Sequence, residues 1–239
     1  MTTTQINRRA PRGGMTAPNR TYQGGQFIPD AIWRQERAKA RSDIAPLIDG
    51  FADDFQFLRQ VYEQQVALRK LPPEALAGVQ VIPASTVEAR MKARIRDTYT
   101  RAFTLGKRHS GNLTTVNAAD ALAIKGTRLD EYQYLRGFLR DMDAGAGRMS
   151  YEKRADYYAK AARELFWLGF VLGDQSDTRR IEWVLGQTEH CKTCLQMAQG
   201  SPWRVGDILL KVKRGILPQS GALDCLGYHC QCSLADKET

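Results

Sequence analysis

All five cysteines of this chain lie in its last fifth: Cys191, Cys194, Cys225, Cys230 and Cys232. Two of its three histidines, His190 and His229, sit directly beside one of them. Cys191 and Cys194 form a C-x2-C knuckle, a turn in which two thiolates reach one metal while backbone N–H groups bond their sulfurs. Cys225-x4-Cys230-x-Cys232 follows about thirty residues on. Four thiolates in a tetrahedron are what Zn²⁺ prefers. The connecting segment carries Gly200, Pro202, Gly206, Gly215, Pro218 and Gly221. It has little apolar surface of its own, and a metal is a common supplement for such a segment. Only Ile208–Val212 reads as a strand. Disulfides and redox thiols are the competing readings, and a cytosolic setting argues against the former.

The expected cofactor is one structural Zn²⁺. Its expected ligands are Cys191, Cys194, Cys225 and Cys230, with Cys232, His229 and His190 as alternates. Cys232 ranks lower because, two residues past Cys230 on an extended chain, it would point to the opposite side. A zinc deaminase would need His-x-Glu well ahead of Pro-Cys-x-x-Cys. Here the order is Glu189-His190-Cys191, with no proline before the knuckle, so that chemistry is excluded.

The rest of the chain reads as mainly α. The domains expected are an extended basic arm over 1–28, a helical domain over 29–185 and a Cys-rich, zinc-ribbon-like module over 186–239. The arm holds Arg8, Arg9, Arg12 and Arg20, no acidic residue, and the pairs Gly13-Gly14 and Gly24-Gly25. It has too few large apolar side chains to offset the entropy of ordering. Asp30 can cap a first helical segment. Phe51, Phe55, Leu58, Tyr62 and Val66 then recur at spacings of three and four, one face of a helix that Pro72-Pro73 ends.

Ser85 and Glu88 predict a capping box. The helix it opens carries an apolar stripe of Val87, Met91, Ile95, Tyr99, Ala102 and Phe103. Its other side is basic, and Arg90, Arg94, Arg101 and Arg108 share one face. Gly106 and Gly111 are expected to break it. A short helix after Asn117, a second over about 127–143 and a long one capped by Ser150 complete the pattern. The last buries Tyr151, Ala155, Tyr158, Ala162, Leu165, Phe166, Gly169 and Leu172. There is no strand–helix alternation and no Gly-rich phosphate loop.

The chain has 239 residues, 43% hydrophobic and 26% charged, with a formal charge of +9. That excess favours polyanions or acidic protein surfaces. The longest apolar run is too short to span a bilayer, so no membrane partner is expected. The first thirty residues lack an apolar signal core. The expected setting is the cytosol, or a particle assembled there. No Ser-His-Asp set, nucleotide loop or paired carboxylates with a base are present, and His109 is the only histidine outside the Cys-rich segment. No catalytic residues are assigned, and the chain is not expected to be an enzyme.

The C-terminal pattern resembles the phage minor head, or head-morphogenesis, protein family, typified by the minor head protein of phage Mu. Its members carry a CxxC knuckle, a glycine-rich stretch, a Pro-Gly-like turn and a terminal Cys-Arg-Cys before an apolar residue. The matching positions are Cys191-Lys-Thr-Cys194, Leu217-Pro-Gln-Ser-Gly221 and Cys230-Gln-Cys232-Ser-Leu234. The helical stretches Ala102–Lys107, Glu131–Leu135 and Arg154–Tyr158 are also similar. Gln231 stands where members have arginine, and Tyr228-His229 where many have His-Pro; both departures bear on the fourth ligand. The resemblance implies a low-copy virion component of the phage head, assembled in the host cytoplasm. It would act in head assembly and in DNA packaging or delivery. Its partners would be the portal or major capsid protein, and packaged DNA. Arg8, Arg9, Arg12, Arg90, Arg94, Arg101 and Arg108 are the candidate contacts. A zinc-ribbon nucleic-acid-binding regulator is the alternative from another class, and a toxin or transferase fusion a third.

Overall fold

The computed structural model describes residues 20–23, 26–112, 114–144, 151–186, 189–227 and 230–237. Arg8, Arg9, Arg12, Ser150 and His229 lie outside them. In chain order the elements are β1 (Arg20–Gln23), β2 (Gln26–Pro29), α1 (Asp30–Leu68), a short 3-10 turn (Pro73–Leu76), α2 (Ala84–His109), α3 (Ala118–Asp143), α4 (Tyr151–Gly173), β3 (Arg180–Val184), α5 (Lys192–Gln199), β4 (Trp203–Arg204), α6 (Val205–Val212) and β5 (Ser233–Asp236). The expectation of a mainly helical chain with a C-terminal cysteine cluster holds.

Several boundaries move. Residues 20–29 pair as an antiparallel hairpin, with Gln23 opposite Gln26, and not as an unpaired arm. Thr21, Tyr22, Phe27 and Ile28 favour strands. α2 opens at Ala84, one residue before the expected cap, and Glu88 pairs with Lys92 and with Arg136 (3.6 Å). The two helices expected after Asn117 are one, α3. Asn117 and Asp120 close a reciprocal cap: each backbone N–H donates to the other's side-chain oxygen, at 2.9 and 3.0 Å. Gly126 is then interior, at a helix-propensity cost of about 1 kcal/mol that a helix this long absorbs.

The chain divides into two compact units. The helical unit comprises 46–101 and 116–162. Its core joins Phe51, Phe55, Tyr62 and Val66 of α1 to Val87, Met91, Ile95 and Tyr99 of α2, Leu135, Phe138 and Leu139 of α3, and Tyr158 and Ala162 of α4. The Phe55 and Tyr158 rings lie 4.5 Å apart between centroids. Buried hydroxyls are satisfied by helix carbonyls: Tyr62 donates to Leu139 O at 3.2 Å and Tyr99 to Tyr158 O at 3.3 Å.

The cysteine unit comprises 1–45, 102–115 and 163–239. The boundary expected between 185 and 186 therefore falls inside a compact unit. Gly106 does not break α2; it allows a close helix crossing. A Cβ there would stand 1.9 Å from Phe166 O, and one at Gly169 would stand 2.1 Å from Phe103 O. β3 is the centre of an antiparallel sheet ordered β4-β3-β5. One core joins Phe166, Trp167, Phe170 and Val171 of α4 to Ile181 and Trp183 of β3, Met197 of α5, Val205 and Ile208 of α6, and Leu234 of β5. Cys194 and Cys232 belong to that core. The strand expected over Ile208–Val212 is helix α6, because Val205, Ile208, Leu209 and Val212 recur at helical spacing.

Candidate metal centre

The knuckle is built on the first turn of α5. Cys191 is its N-cap residue, with φ −74° and ψ 163°, and Cys194 lies three residues in. The first N–H groups of a helix lack intrahelical acceptors, and the positive end of the dipole favours thiolate there. The second motif leads into β5, which pairs with β3. Gly186, just past β3, admits the chain: a Cβ at Gly186 would meet Gln231 Cβ at 2.5 Å. That contact seats Cys230 and Cys232 over the knuckle.

The sulfurs of Cys194, Cys230 and Cys232 all lie within 4.8 Å of one another. Cys194 Sγ and Cys230 Sγ are 4.0 Å apart. A tetrahedral zinc with bonds of about 2.3 Å sets its sulfurs about 3.8 Å apart, so the donor set and its spacing fit such an ion. Cys191 and Cys225 are half-buried against the same core. All five cysteines are free thiols.

Cys232 corrects its expected place. It was ranked low on a two-residue alternation, but residues 230–232 precede β5 and are not a strand, so the alternation does not apply. Its thiol is buried and faces His190 Nδ1 at 3.8 Å. His190, an alternate ligand, is itself buried, and its Nε2 has no hydrogen-bond partner. His109 lies instead between the Phe166 and Phe170 rings, at 5.7 and 5.5 Å.

The thiols share protons unevenly. Hydrogen bonding with Cys191, then Cys225, pushes the Cys194 thiol up. Hydrogen bonding with Cys191, then Cys194, brings Cys225 down to about 7. Cys232 is held well below the usual thiol range by bonding with Cys194 and Cys230, and then with the Gly186 backbone. Burial pushes the His190 imidazole down. Ligation of a metal requires thiolate, so binding at these sulfurs would release protons.

The arginine stripe is only partly available. Arg90, Arg101 and Arg108 are exposed, but Arg94 pairs with Asp54 of α1. No helix of the described residues is long and apolar enough to cross a membrane.

Sequence reasoning missed one pair of site-forming residues. Thr193, inside the knuckle, and Asp224, just before Cys225, are joined by hydrogen bonds across 31 positions. Only their places beside cysteines hint at it. Comparison with known protein families, with characterised proteins and with solved structures yields no match for this chain.

Proposed function

We propose that this protein is a structural component of a phage head, a minor head protein without catalytic activity, whose cysteine unit is clamped by one zinc ion. The observation that carries the reading is the meeting of Cys194 with Cys230, 36 positions apart, and with Cys232. Those cysteines come from two of the motifs on which the resemblance to the minor head family rests. Cys194, Cys230 and Cys232 supply three thiolates, and Cys191 or Cys225 the fourth. The ion supplies a cross-link between segments that are distant in sequence. The chain's own residues do the rest: Gly186 admits the second motif, and the apolar core takes in Cys194 and Cys232. A donor set made of cysteine sulfurs suits a structural metal rather than a hydrolytic one.

In this reading the unit presents a rigid surface to the portal or the major capsid protein inside the assembling head. The exposed arginines of α2 meet acidic protein groups or packaged DNA.

The test is biochemical fractionation of purified heads, with metal analysis of the isolated chain. The chain should be found in the particle and should carry about one zinc per molecule when kept reduced. Its absence from particles would remove the virion reading. Sequence-specific binding to duplex DNA by the isolated chain would turn the assignment to a zinc-ribbon regulator. Separate Cys191→Ser and Cys225→Ser variants identify the fourth ligand as the one whose loss releases the metal.

A further inference from the structure

The N-terminus of α5 has an unusual assignment of tasks. A helix N-cap is ordinarily a Ser, Thr, Asp or Asn whose side chain accepts a hydrogen bond from the first-turn N–H groups. Here the N-cap is Cys191, and its side chain makes no capping hydrogen bond. Asp224, 31 positions from Thr193, does the capping instead. The Thr193 N–H donates to Asp224 Oδ2 at 2.9 Å, and the Thr193 hydroxyl donates to the same oxygen at 2.8 Å. The Asp224 N–H points back to Thr193 Oγ1 at 3.4 Å.

The placement matters more than the bonds. Thr193 stands between the two knuckle cysteines, and Asp224 immediately precedes Cys225. The contact therefore fixes one cysteine motif against the other through groups that are not ligands. We propose that Asp224 and Thr193 are positioning residues for the metal, a latch that registers the Cys225–Cys232 segment on the Cys191–Cys194 knuckle before any ion arrives. This rests on the metal reading above. The latch relieves Cys191 of capping and leaves its thiol for the site. It also meets part of the loop-closure entropy that the ion would otherwise have to offset. Outer partners that orient ligands typically change metal affinity 10- to 100-fold.

The experiment uses the full chain under reducing conditions, with zinc affinity read by competition against a chromophoric chelator. Asp224→Ala and Thr193→Val should each weaken zinc binding by about 10- to 100-fold. Thr193→Ser, which keeps the hydroxyl, should bind as the wild type does. The double variant should be little weaker than Asp224→Ala alone, since Asp224→Ala already removes both hydrogen bonds and Thr193→Val only the hydroxyl's. The cobalt(II)–thiolate absorption should keep its position in all of them, because no ligand changes. Wild-type zinc binding with undiminished affinity in Thr193→Val and Asp224→Ala would overturn the latch and leave the metal reading standing. Absence of zinc from the wild type would overturn the metal reading, and the latch with it. Thr193→Val removes only a half-buried hydroxyl, so it reports even if Asp224→Ala fails to fold.

Discussion

Gly186 lies directly beneath Gln231: a Cβ at Gly186 would stand 2.5 Å from Gln231 Cβ and 2.7 Å from Gln231 O. Gln231 sits between Cys230 and Cys232, so Gly186, two residues past β3, bears on how closely both thiols approach Cys194. Gly186→Ala must push that segment outward. Overpacking of this kind costs about 1–3 kcal/mol. The variant should show lower stability to denaturant together with weaker zinc binding. Unchanged zinc affinity would mean that the sulfurs adjust independently of the backbone contact.

Glycines elsewhere divide into two kinds with opposite expected effects. Gly106→Ala and Gly169→Ala place a methyl against a backbone carbonyl, at 1.9 and 2.1 Å, and neither carbonyl can swing away without moving a helix. The steric term exceeds the roughly 1 kcal/mol that alanine gains in a helix, so both should destabilise the cysteine unit. Gly126→Ala in α3 meets nothing within 4 Å and should stabilise by about 0.5–1 kcal/mol. Denaturant titration of the three variants checks both signs.

These two kinds could not be told apart in the sequence. Gly106 and Gly126 are both glycines inside helical patterns, and the difference lies in what crosses them. The amphipathic stripes of α1, α2 and α4 were legible, because a 3.6 period is a local signal that burial only confirms. Val205–Val212 was not, since a short apolar run satisfies strand and helix templates alike and packing on β3 decides. At the site, the clustering of five cysteines was plain. The membership of Cys232 was not, because it depends on the backbone path from Cys230 to β5. Asp224 and Thr193 were invisible for a related reason: a cap supplied from 31 positions away leaves no local pattern.

On the proposed zinc reading, removal of the metal should be felt by one unit and read by its own chromophores. All four tryptophans, Trp33, Trp167, Trp183 and Trp203, fall within the residues of the cysteine unit. Chelation should therefore shift tryptophan fluorescence while far-UV helicity changes little. The cysteine segment shares its apolar core with α4, so it should loosen and not unfold outright. Full loss of helical signal on chelation would contradict that shared core.

Tyr62 gives an alkaline signature in the other unit. Its hydroxyl donates to Leu139 O, and burial raises its pKa above the ordinary value of 10.0. A folded-state pKa above the unfolded one means that the stabilisation is complete below about pH 10 and is lost as pH rises beyond it. The helical unit should lose stability above that range. Tyr62→Phe should cost about 1 kcal/mol at neutral pH and flatten the alkaline decline. An alkaline decline identical in wild type and variant would assign the titration elsewhere.

The basic face of α2 yields the last prediction, which separates a protein partner from DNA. Arg94 is committed to Asp54, so Arg94→Gln removes an internal contact more than a binding charge. Arg90, Arg101 and Arg108 are the exposed members of the stripe. The aromatics Tyr99 and Phe103 of the same helix are buried, so neither ring is open to a stacked base. A face of separated cations without a stacking platform suits acidic groups on a protein neighbour. On the proposed head-protein reading, replacing Arg90, Arg101 and Arg108 together by Gln should therefore reduce incorporation into heads and leave the salt dependence of any DNA binding unchanged. Were the face to touch phosphate, each lost contact would lower the slope of log affinity against log salt by about 0.9. A drop of that size for each arginine, with normal incorporation, would assign the stripe to DNA and the head contact to another surface.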